Sequence, residues 1–166
     1  APVSVEAAYP ISPQEQRESR THVVLGWLLG RSTDLWGMMN AQLVSDVLLA
    51  HSGSPLRKVL ETTDLGTSPS ALTGLSPSTR EASFYCGIEG SEPERAEAVE
   101  DLVMQTLSQV AEDGVDPDEA EAVLHQLELA QREVGGGDFP YGLQVMLHAL
   151  PAVLHGGDPV AFLDID

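Results

Sequence analysis

Positive charge is scarce in this chain. Eight Lys and Arg stand against 26 Asp and Glu, for a formal net charge of −18, and Lys58 is the only lysine. Phosphate backbones and anionic lipid surfaces are held by clustered positive charge, so nucleic acid and membranes are excluded as partners. Cysteine is almost missing too, and the lone Cys86 rules out a disulfide framework. Long apolar runs are absent. The longest, Val23 to Leu29, is interrupted by Gly26 and falls far short of the about 20 residues that a bilayer-spanning helix needs. Residues 1–20 lack the basic start and apolar core of a secretory signal, and Pro2, Pro10 and Pro13 among polar residues give them the character of a linker. What remains is 166 residues, 42% hydrophobic, which suits one domain with a core of its own and is too apolar for disorder.

Local patterns divide that domain into elements. Thr21 to Leu29 is apolar on both faces, which predicts a strand in the middle of a sheet. Thr33 or Asp34 can cap a helix from about Leu35 to Ala50, with Leu35, Met39, Leu43 and Val47 at helical spacing. Ser54-Pro55 is a start signal for a short helix, Leu56 to Glu61. Residues 64–80 are loop-like, with Ala71 to Leu75 as a candidate edge strand, and Ala82 to Ile88 predicts a second strand. Ser91 with Glu94 fits a capping box for a helix whose buried stripe is Val99, Leu102, Val103, Leu107 and Val110. Asp116-Pro117-Asp118-Glu119 opens another, with Val123, Leu127, Ala130 and Val134 inward and Gly135-Gly136-Gly137 at its end. A last helix covers about Leu143 to Leu154. Strand, helices, strand, helices is an α+β order, with helices on one face of a sheet.

Few residues offer chemistry. His125-Gln126-Leu127-Glu128-Leu129 approaches a zinc-peptidase motif, but Leu129 stands where the second imidazole belongs and cannot coordinate, so His125 and Glu128 are expected at the surface of an acidic helix. His148 and His155 lie two turns apart, about 10.5 Å, across Pro151, too far to share one ion. His22 and His51 have no ligand-type neighbours in sequence, and Cys86 in an apolar strand is expected to be an inert thiol. The glycine triplet lacks the Lys-Ser or Lys-Thr of a phosphate loop. Between Glu92 and Glu121 lie eleven carboxylates and one base, Arg95. Such a run is ordinarily a solvated helix face; its sharper use would be a field that attracts basic peptides.

In order along the chain, the strand Thr21 to Leu29, the helix segment Leu43-Val44-Ser45-Asp46-Val47-Leu48-Leu49, Ser54-Pro55-Leu56, Glu61 through Leu65-Gly66, Arg80-Glu81-Ala82-Ser83-Phe84 leading to Gly87-Ile88-Glu89-Gly90, Glu119 through Glu128, and Gly156-Gly157-Asp158-Pro159-Val160 form a series. That series resembles the presequence-protease branch of the pitrilysin/insulinase zinc metallopeptidases. The resemblance implies one α+β domain, residues 21–166 after a linker at 1–20, cut from a four-domain enzyme that closes around unfolded peptides. It implies the second domain, with the zinc motif in the first, so no position here is matched as catalytic, cofactor-binding or metal-binding. Zinc is expected in the parent enzyme and none in this segment. The implied partners are the remaining domains of the parent chain and unfolded, possibly basic peptides. The alternative is a free-standing scaffold of processing-peptidase-like fold. The unpaired Cys86 is compatible with a reducing compartment, and the expected location is a bacterial cytoplasm.

Overall fold

The computed structural model describes residues 2–12, 14, 18–132 and 140–163. Its centre is a long strand, β4 (Glu81–Ser91), which pairs antiparallel with β1 (Thr21–Arg31) along one edge. On the other edge lie two short antiparallel strands, β2 (Ser68–Pro69) and β3 (Gly74–Ser76). Among the described residues five α-helices complete the element order: α1 (Leu35–Leu49) and α2 (Pro55–Thr62) between β1 and β2, then α3 (Ala96–Asp113), α4 (Pro117–Arg132) and α5 (Tyr141–Leu154) after β4. The expected α+β architecture is the one observed.

Alternation along β4 explains where the core sits. Side chains two residues apart share a face, so Ala82, Phe84, Cys86 and Ile88 point one way and all are buried. Phe84, Cys86 and Ile88 pack with Leu48 of α1, Leu56 and Leu60 of α2, and Val99 and Val103 of α3, while Val23, Leu25 and Trp27 of β1 flank the cluster. Helices therefore cover this face. The register pairs Val24 with Gly87, Gly26 with Tyr85 and Leu28 with Ser83 on the opposite face, where Gly26 is exposed and Leu28 is 73% exposed.

Several expectations need correction. β1 is not central: among the described residues it has β4 on one side and no strand on the other. The loop-like stretch contains two strands rather than one, because Ser68 and Pro69 also reach β4. Ser91 does not cap α3. It ends β4, buried, and its hydroxyl donates to the Leu65 carbonyl at 2.6 Å, while a 3-10 turn at Pro93–Arg95 leads into the helix. Along α4, Val123 is buried and Leu127 half-buried, but Ala130 is exposed; Val134 and the glycine triplet lie outside the described residues.

Caps read from sequence are present elsewhere. The Asp34 carboxylate accepts from the Gly37 amide at 3.1 Å at the start of α1, and an Asp116 oxygen accepts from the Asp118 amide at 2.9 Å before α4. Asp34→Ala should cost about 1 kcal/mol, because an orphan first-turn amide loses its acceptor. Urea unfolding should show a lower midpoint at unchanged slope; an unmoved midpoint would mean water replaces the cap.

Candidate functional site

The described histidine side chains and the thiol each have separate partners or surroundings. His125 sits on exposed α4 with Nε2 3.6 Å from Glu121 and Nδ1 3.6 Å from Glu128, a helix-surface pair of contacts open to solvent. His51 Nδ1 accepts from the Gly53 amide at 3.1 Å, and His155 Nε2 lies 3.1 Å from the Ser78 carbonyl oxygen. The His148 side chain lies outside the described residues. Among the described residues, no group of three or more His, Cys, Asp or Glu could hold a metal ion, so the donor set of a zinc centre is not found there.

Cys86 is fully buried in β4, and removal from water pushes its thiol up to about 12. The thiolate is the reactive form, so Cys86 should react with a thiol reagent at pH 8 only as fast as the fold opens; immediate stoichiometric labelling would contradict that. The sign of the pH dependence follows. Unfolded, the thiol titrates near 9.0; folded, it keeps its proton to about 12. The stability this burial contributes is complete below pH 9.0 and is lost as pH rises toward 12, because the unfolded chain then releases a proton the native state retains.

Two concavities are open rather than enclosed. One, about 410 Å³, runs between α2 and α3 and is lined by Val59, Val110, Lys58, Thr106 and Gln109 among others. The other, about 560 Å³, lies on the face of the sheet opposite the core cluster, at Leu28 and Ser83, beside Thr79, Arg80 and Glu81. That face is the more distinctive surface. It is paved with small or apolar residues (Val24, Gly26, Leu28, Ser83, Tyr85, Gly87), with the Tyr85 ring so close over Gly26 that an added methyl there would lie 3.0 Å from it. At its far end His22 Nδ1 is 3.8 Å from Glu89, whose other oxygen accepts from the Ser68 hydroxyl at 3.0 Å, and the Tyr9 ring meets His22 edge-on at 5.6 Å. Sequence spacing could not show the His22–Glu89 contact, since 67 positions separate the two; only the strand register joins them. Such a surface offers apolar contact from Val24 and Leu28 beside the polar groups of Ser83, Tyr85 and His22.

The charge is arranged asymmetrically. Glu97, Glu100, Asp101, Glu112 and Asp113 on α3 and Asp118, Glu119 and Glu121 on α4 are all exposed, and Arg95 turns away to donate to the Asp64 carbonyl at 2.6 Å. The acidic side chains thus form a solvated outer layer. Among the described residues no helix is long and apolar enough to cross a membrane.

Comparison with known proteins adds the following. Residues 1–127 match the family described as Peptidase M16 inactive domain. The chain is 31% identical over 159 residues to presequence protease 1, chloroplastic/mitochondrial, of Arabidopsis thaliana, covering 95% of this chain and 15% of that protein. It is 32% identical over 148 residues to the mitochondrial presequence protease of Xenopus laevis, covering 89% of this chain and 14% of that one. Against the mitochondrial presequence protease of Mus musculus the figures are 32% over 156 residues, 94% and 15%. The chain thus spans about one seventh of the length of these relatives. Their names carry mitochondrial or chloroplastic addresses, so the bacterial cytoplasm expected above gains no support from them.

Proposed function

This chain belongs to the Peptidase M16 inactive-domain family, and from that membership we propose that residues 21–166 are a non-catalytic domain of a larger zinc-dependent metalloendopeptidase, preceded by a linker at 1–20. In this reading the domain is a wall of a closed chamber in which unfolded peptides are degraded. Zinc and the water it activates belong to another domain of the parent chain, and no residue here is catalytic, cofactor-binding or metal-binding.

The observation that carries the reading is the one-sided sheet. Helices bury one face, while on the other Gly26 and Leu28 are exposed, Leu28 by 73%, and Val24 and Tyr85 are half-buried. A protein seldom leaves such a surface open without a use for it. Extended chains of varied sequence can lie against such a surface, because Leu28, Val24 and Gly26 offer contact without a deep side-chain pocket. The acidic layer of α3 and α4 adds a field favourable to basic peptides. Binding of a basic peptide should therefore weaken as salt rises, and salt-independent affinity would remove that part of the proposal.

The test of the wall itself uses the longer polypeptide. Leu28→Asp, on the open face and outside the core, should raise KM for an unfolded peptide about tenfold by placing charge and its hydration in the peptide's path. Zinc content and fold should be unchanged. An unaltered KM would contradict the placement of this face in the chamber, and a loss of zinc would contradict the separation of wall from catalytic centre.

A further inference from the structure

We propose that residues 3–9 form a strap that closes over the open face of the sheet, with Tyr9 at its hinge. The consequence for peptide binding rests on the reading above, that this face meets peptide; the closure itself does not.

The pattern of the segment and its surroundings disagree. Val3, Val5, Ala7 and Tyr9 alternate with Ser4, Glu6 and Ala8, which is the period of an extended chain with one apolar side. Such a side belongs against an apolar surface. Residues 2–10 are instead exposed, and Val3 and Val5 each by 83%. Tyr9, the last residue of the pattern, is anchored. Its hydroxyl donates to the Arg20 carbonyl oxygen, and its ring meets His22 edge-on at the end of the open face.

The lengths on either side of that anchor match. Six positions lead from Tyr9 back to Val3, and six lead from His22 forward to Leu28. At about 3.3 Å per residue each spans about 20 Å. Laid antiparallel to β1 from the anchor, the segment brings Ala7 to Val24, Val5 to the Tyr85 ring over Gly26, and Val3 to the exposed Leu28. Ser4 and Glu6 then face water, so closure buries no charge. The other face of the sheet is already filled by helices. Val3, Val5 and Ala7 are small, which keeps the gain from burying them near balance with the cost of ordering the segment. The structure holds the open position of this equilibrium. A strap closed about half the time competes with peptide and raises the apparent KM about twofold.

Disulfide exchange in a glutathione buffer tests the closure in the 166-residue chain. Val3→Cys with Leu28→Cys should form an intramolecular bond at an effective concentration about tenfold above that of Ser4→Cys with Leu28→Cys. The two tethers differ by one residue, but Ser4 lies on the far side of a closed strap. Cys86 is buried and does not compete. Equal effective concentrations, or bonds formed only between chains, would overturn the proposal. In the longer polypeptide, Val3→Ser with Val5→Ser should lower KM for an unfolded peptide about twofold at unchanged kcat. An unmoved KM beside the preferential bond would overturn the peptide reading of the face and leave the strap standing, so the two fail separately.

Discussion

Replacing Gly87 with alanine should destabilise the fold by about 3 kcal/mol or more, although the change adds one methyl group. A Cβ at this position would lie 2.0 Å from the Val23 carbonyl oxygen and 2.7 Å from the Val24 Cα. Both are backbone atoms of β1, so relief requires moving the strand rather than rotating a side chain. Nor can β4 shift the other way, because the Gly87 carbonyl accepts from the Ser70 amide at 2.9 Å and the Gly87 amide donates to the Thr73 hydroxyl at 3.3 Å. At the size of this domain the loss corresponds to a fall in Tm of about 10 °C. Gly142→Ala is the control: its Cβ meets nothing within 4 Å, and alanine favours the helix it sits in. Equal melting temperatures for the Gly87 variant and the parent would show that β1 does not approach β4 as described.

Leu56→Ala should cost about 2–5 kcal/mol, the range for truncating a fully enclosed leucine. Leu56 is 0% exposed in α2 and belongs to the cluster that joins three helices to the sheet. The informative comparison is Leu28→Ala, on the opposite face of the sheet. Leu28 is 73% exposed, and its truncation should change stability by less than about 0.5 kcal/mol. Chemical denaturation of the two variants measures the one-sidedness of the sheet directly. If both lose stability equally, the open face is packed against something in this chain, and the surface assigned to peptide contact is a second core.

Much of this was legible in the sequence wherever the signal is local. Asp34 precedes an apolar helix and caps it, Asp116-Pro117 opens α4, and Val99 and Val103 fall inward where the helical period puts them. Local signals mislead where one residue has two possible partners. The Ser91 hydroxyl could bond a nearby helix amide or a carbonyl 26 positions away, and burial at the end of β4 brings Leu65 within reach first. β2 is two residues long and contains Pro69, so neither period nor propensity marks it; only the length of β4 provides its partner. The open face was not legible at all. Residues as far apart as His22 and Glu89, or Gly26 and Tyr85, become neighbours through strand register, which no single segment encodes. That the zinc-like motif at His125 is incomplete is legible in sequence, because Leu129 in the second ligand position is a local fact.

The most direct trial of the account is metal and activity analysis of this chain alone. After loading with zinc and dialysis, the folded protein should retain well below one zinc per chain and should leave an unfolded peptide intact, since a zinc centre needs about three protein ligands converging on one point. One tightly held zinc per chain, or zinc-dependent cleavage of the peptide, would contradict the assignment of these residues to a wall rather than to the cutting site.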